Sequence, residues 1–213
     1  MFSRNLTKKE VSIINNIEVF IRDKHEKLQG HDYSHVLAVT HYSIEIARRI
    51  TESVEPFVII CGALFHDIGR LGTNTGRLHG FRGATIAEEY LKAIGIDNET
   101  RKQIVRIVVR HTETSMLPPE TVSEKVVYDA DDLERLGLMG MLRGMMVGDA
   151  ERSMDDIINN RLEKRTKDYE RLHFQASRDL GRKLYEETLK LIEFIKASMN
   201  QRWKEINKLD LPV

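Results

Sequence analysis

Apolar residues recur along this chain at spacings of three and four, and strand-like alternation between turn signals is hard to find at any length. The pattern predicts an all-α fold. A first helix from about Lys8 to Leu28 carries Val11, Ile14, Ile17, Ile21, His25 and Leu28 on one face, with Gly30 ending it. From about Tyr33 to Ile50, the residues His35, Ala38, Val39, Tyr42 and Ile46 form one inward stripe, so spacing alone turns His35 towards the core. Pro56 suits the first turn of a third helix, Phe57 to about Ile68, which is apolar nearly all round, as a central helix is; Gly69 closes it. Arg70 to Arg82, rich in Gly, Thr and Asn, reads as a loop leaving the centre of the fold. Ala84 to Ile94 is helical and capped by Gly95. Asp97 then N-caps a helix running to about His111, with Ile104, Ile107, Val108 and His111 on one face. Pro118 and Pro119 break the chain before a helix from about Thr121 to Leu136, closed by Gly137, that carries Asp129, Asp131 and Asp132.

The remainder is long-helical. Its stripe of Leu180, Leu184, Thr188, Leu191, Ile192, Ile195 and Met199 can lie on the same core or against a second copy, which leaves room for a homo-oligomer. At 213 residues one domain is expected, with a core at about 15–140 and C-terminal helices at about 150–205. The 33 basic and 33 acidic residues cancel, so no global field holds nucleic acid or an anionic membrane, and an acidic ligand must be caught locally. The run Arg161 to Lys183 is locally basic but lacks interleaved aromatics, and reads as a solvated helix face with pairs such as Glu163 with Lys167. The lone Cys61 sits in the apolar run Phe57 to Phe65 as a small buried hydrophobe, which fits a reducing cytoplasm. No signal peptide and no apolar run near the roughly 20 residues that span a bilayer are present, so the expectation is a cytoplasmic protein without a membrane partner. Met139, Met141, Met145 and Met146 are expected to pack the core or flank a pocket.

Six of the eight histidines fall between residues 31 and 111, and those on helices share faces with apolar residues. Singly, such residues are ordinary core histidines. Jointly, His35, the doublet His66 and Asp67, and the later aspartate cluster can converge, because packed helices lie about 8–10 Å apart. Imidazole nitrogens and carboxylate oxygens suit a hard or borderline divalent ion.

The order GHDYSH (30–35), LFHDIGR (64–70) and YDADDLERLG (128–137) resembles the HD-domain family of metal-dependent phosphohydrolases, over roughly residues 15–200. The resemblance implies a helical bundle holding one divalent ion, Mn, Fe, Ni, Mg, Co or Zn, through His35, His66, Asp67 and Asp131. It implies that His79 and His111 line the pocket as catalytic groups, with a second ion as the alternative, and that Asp67 also positions or deprotonates water. Helical phase favours Asp129 over Asp131, whereas the resemblance favours Asp131. Arg70, one turn past His66, is placed to meet phosphate, with Arg77, Arg82 and Lys183 as further candidates. His31 is read as capping or orienting the next helix; His25, His41 and His173 are assigned no role. The implied substrate is a small phosphate ester or phosphoanhydride, a nucleotide foremost. Asp132 stands where the family often carries Arg or Lys, and this removal of a cation supports an alternative, a weakly catalytic metal- or nucleotide-binding regulator.

Overall fold

The computed structural model describes residues 1–25, 31–71, 78–146 and 153–206. Helix α3 (Pro56–Phe65) is buried at every position, as its unbroken apolar sequence requires. Around it pack α1 (Lys8–His25), α2 (Tyr33–Arg49), α4 (His79–Ala93), α5 (Asn98–Arg110) and α6 (Val122–Glu134). The chain continues through α7 (Gly137–Met146), the short α8 (Met154–Asp156) with a π-helical turn (Ile157–Leu162), α9 (Lys164–Glu170) and the long α10 (Gln175–Ile206). Among the described residues the sole strand-like pairing is an isolated bridge between Phe2 and Val54. Leu28, Gly30 and Arg77 lie outside the described residues.

Local chemistry sets the helix ends. Asp32 caps α2 by accepting from the His35 amide, Asp97 caps α5 through the Glu99 and Thr100 amides, and Thr121 with Glu124 closes a capping box on α6. Each such cap contributes about 1 kcal/mol. Gly137, at φ +69°, turns the chain from α6 into α7, and its amide donates to Thr188 Oγ1 at 2.8 Å, seating α10 on α6 and α7.

Two boundaries correct the sequence reading, and both sit beside the histidines. The central helix ends at Phe65, and His66 and Asp67 turn the chain into a 3-10 turn at Ile68–Arg70. Helix α4 begins at His79 rather than Ala84, so the end of the supposed outward loop belongs to the centre of the fold. Gly69 explains the second difference: a Cβ there would stand 1.9 Å from the His79 carbonyl oxygen and 2.4 Å from the Gly83 amide nitrogen. Backbone lies directly on backbone. Gly80 does the same against α5, where a Cβ would meet the Val109 carbonyl at 2.9 Å. These glycines permit close approach and are not loop markers. Leu78, immediately before His79, takes φ +65°, a strained conformation for a branched side chain.

Smaller corrections follow from packing. Val11 faces outward, Met141 is buried while Met139, Met145 and Met146 are exposed, and Glu163 pairs with Lys196 instead of Lys167. Helix α6 is enclosed by α2, α3 and α5 on one side and α9 and α10 on the other, so Asp129, Asp131, Asp132 and Glu134 are all buried. No helix among the described residues is long and apolar enough to cross a membrane.

Replacing Gly69 by alanine must push the 3-10 turn off α4, and overpacking of this kind costs roughly 1–3 kcal/mol or more. Chemical denaturation of Gly69→Ala is expected to show that loss, together with weaker divalent-ion binding as His79 is displaced; unchanged stability would contradict the backbone contact.

Candidate functional site

Five elements deliver the site. The turn after α3 carries His66 and Asp67, the first turn of α2 carries His35, and α6 carries Asp131 three residues before its last residue, Glu134. His79 opens α4 and His111 follows the last residue of α5. Every one of these side chains is buried.

Hydrogen bonds at one ring nitrogen aim the other. His66 Nδ1 donates to the Ala63 carbonyl at 2.6 Å, His111 Nδ1 donates to the Val108 carbonyl at 2.7 Å, and His35 Nδ1 donates to Glu134 Oε2 at 2.9 Å. Their Nε2 atoms therefore converge. His35 Nε2 lies 3.1 Å from His66 Nε2, 3.4 Å from Asp67 Oδ2 and 3.5 Å from Asp131 Oδ1. On the other side of Asp67, His79 Nε2 and His111 Nε2 stand 3.0 Å apart and 3.2 and 3.4 Å from Oδ1. His31 Nδ1 adds a 2.6 Å contact to Oδ2, and Arg70 Nε donates to Oδ1 at 2.6 Å. Three overlapping donor groups result: His35, His66 and Asp131; Asp67, His79 and His111; His31, His35 and Asp67.

The electrostatics match a cation-binding centre. Burial pushes His66 down to about 3 and His31 down to about 4, so both rings are neutral at pH 7 and offer lone pairs. Burial also opposes charge on His35, but its bonds to Asp67 and Glu134 outweigh that and hold it up at about 9. Asp67 and Asp131 stay ionised in spite of burial, Asp67 chiefly because the Arg70 guanidinium faces it, Asp131 because Arg135 and His35 do. Two imidazole nitrogens facing at 3.1 Å require one positive centre between them, a proton or a metal ion. The donor set thus fits a divalent ion, which would take the place of the proton on His35: imidazole nitrogens, ionised carboxylates and no thiolate, since Cys61 is buried within α3.

Helical phase misjudged the aspartates. Asp129, the residue phase preferred, accepts from the amides of His173 and Phe174 and from His173 Nδ1, and so fastens the entry to α10. His173, given no role, is its partner. His31, read as a cap, contacts Asp67 directly, and the His-x-x-x-His spacing of residues 31 and 35 was the available signal. Glu134 went unnoticed although it lies three residues, one helical turn, beyond Asp131. Arg143 then holds Glu134 at 2.7 Å, Asp32 at 3.0 Å and Ser34 at 2.7 Å, fixing α7 to the start of α2. Arg82 donates to the Leu71 carbonyl and Lys183 is exposed on α10; neither contacts the donor groups among the described residues.

Comparison with known proteins agrees with this geometry. The model of the HD domain matches residues 32–136, the stretch from the cap of α2 through α6 that contributes His35, His66, Asp67, His79, His111 and Asp131. Residues 32–136 of this chain are an HD domain. A tRNA (cytidine(56)-2'-O)-methyltransferase of Picrophilus torridus is 32% identical over 156 residues, 66% of this chain and 41% of that protein. YpgQ of Bacillus subtilis is 28% identical over 133 residues, 59% of this chain and 61% of that protein. The matches thus span under two thirds of these curated relatives. In structure, YpgQ in complex with ADP superposes with a TM-score of 0.67 at 20% identity, covering 95% of this chain and 99% of its own. An HD-superfamily hydrolase from Bacillus thuringiensis gives 0.66 at 21% identity, covering 90% and 98%. HD domains bind divalent metals, and the His and Asp clusters here can hold one.

Glu134 fixes the tautomer of His35, and removing such an outer partner lowers metal affinity about 10–100-fold. Competition against a chelating dye should show that loss in Glu134→Gln, and an unchanged affinity would refute the assignment.

Proposed function

We propose that this HD-domain protein is a divalent-metal-dependent phosphohydrolase acting on a phosphate ester or phosphoanhydride, with nucleotides as the substrate class. One observation carries the reading. A single buried carboxylate, Asp67, is shared between two histidine pairs, and a guanidinium, Arg70, is attached to the same oxygen that faces His79 and His111. Divalent-ion ligands beside an arginine suit the two demands of phosphoryl chemistry, a nucleophile at neutral pH and neutralisation of oxyanion charge. The ADP complex of YpgQ supports the choice of nucleotides.

His35, His66, Asp67 and Asp131 would hold the first ion; Asp67, His79 and His111 form the second donor group. When bound, the ion supplies an acidified water and an electrophilic contact for a phosphoryl oxygen. The chain's own residues do the rest. Arg70 spends its Nε on Asp67, and its Nη groups orient the phosphate oxygens. An Asp67 oxygen accepts the proton of the attacking water, and its neighbours His79 and His111 can carry that proton onward at Nε2. Glu134 keeps His35 oriented throughout, and its own position is held by Arg143.

A panel of nucleoside mono-, di- and triphosphates tested with Mn, Fe, Co, Ni, Mg and Zn is expected to yield turnover that EDTA abolishes. Asp67→Ala should reduce it at least about 10³-fold, and Arg70→Ala should mainly raise KM, by about tenfold or more, consistent with loss of a charge-assisted contact. Turnover that survives both chelation and Asp67→Ala would overturn the assignment. Tight nucleotide binding without turnover for any ion would favour a regulator instead.

A further inference from the structure

One buried histidine has no part in the steps proposed for catalysis. His25 is the last residue of α1 and is fully buried, and α1 packs against the 3-10 turn that follows Asp67. Its Nδ1 donates to the His31 carbonyl at 2.9 Å, while its Nε2 is buried without a partner among the described residues. A carbonyl oxygen only accepts, so the ring carries its proton on Nδ1 and leaves a bare lone pair on Nε2. Burial lowers the ring's affinity for a second proton. An apolar side chain of similar size would fill this space without an unpaired nitrogen, which is costly to bury. What the imidazole adds is the bond from Nδ1.

That bond holds the peptide joining His31 to Asp32, and both of these residues reach the centre. His31 Nδ1 stands 2.6 Å from Asp67 Oδ2, and its ring meets the His35 ring edge-on with centroids 5.2 Å apart. Asp32 caps α2 through the His35 amide and is held by Arg143 at 3.0 Å. We propose that His25 is a positioning residue of the metal centre, holding His31 against the carboxylate that the two histidine pairs share; this rests on the metal-dependent reading of the site. The two oxygens of Asp67 are approached from the solvent side by Arg70 and His31, whose side chains are each 18% exposed while the carboxylate is 2% exposed. Arg70 lies in the same turn as Asp67 and is placed by it. His31 comes from another stretch of chain, and His25 anchors it across the connection from α1 to α2. Outer partners of this kind set the orientation of the groups that hold a metal.

The position of the donor nitrogen makes the test specific. The amide nitrogen of asparagine lies two bonds beyond Cβ, as Nδ1 of histidine does, whereas that of glutamine lies three bonds beyond it, as Nε2 does. Co²⁺ affinity of the full chain, measured by competition against a chelating dye, is expected to fall about three- to tenfold in His25→Gln and to stay within about twofold of the wild type in His25→Asn. The visible spectrum of bound Co²⁺ should change in the glutamine variant and not in the asparagine variant. In a His31→Ala background the difference between the two variants should vanish, because the residue through which His25 acts is gone. In the metal-free wild type, nitrogen NMR should find the His25 proton on Nδ1. A histidine that only packs would change thermal stability in both variants, with or without His31, and would not separate asparagine from glutamine. A proton on Nε2, equal losses for the two variants, or a glutamine effect undiminished by His31→Ala overturns the positioning role and leaves the metal centre standing. Failure of the wild type to bind Co²⁺ overturns the metal centre, and the positioning role with it.

Discussion

The arrangement depends on one carboxylate. Asp67 is buried where α3 stops, and an ion of its size taken into a protein interior without partners costs several kcal/mol. It stays ionised because Arg70, from its own turn, and four histidines, His31 and His35 before and on α2, His79 on α4 and His111 after α5, surround its two oxygens. Placing those partners requires the end of α3, the starts of α2 and α4 and the end of α5 to meet within a few ångströms. Glycines make that meeting sterically possible: Gly69 brings the Asp67 turn onto His79, and Gly80 brings α4 onto the end of α5 next to His111. The buried His and Asp cluster is thus also the main geometric constraint on the fold's centre.

Such a cluster does not stabilise the protein by itself, because buried charges gain less from pairing than they lose in hydration unless their geometry is close to ideal. The stabilising term is apolar. A continuous core runs from Ile17 and Ile21 through the whole of α3 to Ile104, Ile107, Val126, Val127 and Leu133, and the polar centre is inserted at one end of it. A smaller apolar cluster, Met141, Ile158, Leu162 and Ile192, fixes the C-terminal helices to α7. That attachment matters for the centre, since Arg143 of α7 holds Glu134 and Arg171 after α9 holds Asp132. The later helices reach the buried His and Asp cluster through arginines.

The same logic explains where reasoning from spacing succeeded. His35 was assigned inward by a stripe on an amphipathic helix, and α2 has one buried and one exposed face, so the stripe was informative. Helix α6 is enclosed on both sides, so four of its acidic residues are buried in different directions and phase could not rank them. There the order of residues in the resemblance chose Asp131, and the contacts of Asp129 with His173 and Phe174 explain what the rejected candidate does. The end of the stretch read as a loop, 79–82, misled for another reason: a glycine needed for a turn and a glycine needed for close backbone contact are the same letter.

What the sequence determined by itself was the helical class, most helix ends, the burial of Cys61 and the identity of His35, His66, Asp67 and Asp131 as a set. These are local or ordered properties: periodicity, capping chemistry and the sequence of motifs. Only the tertiary structure decided that His79 and His111 face the same oxygen of Asp67, that Asp67 is shared between two histidine pairs, that His31 and Glu134 join them, and that Arg135 and Arg171 point inward. Apart from the contacts of Arg135 with Asp131 and Asp132, those facts depend on distances between residues far apart in the chain, such as 32 positions for His79 with His111 and 99 for His35 with Glu134. Spacing along a helix shows which way a side chain points, but it does not show which neighbour it meets.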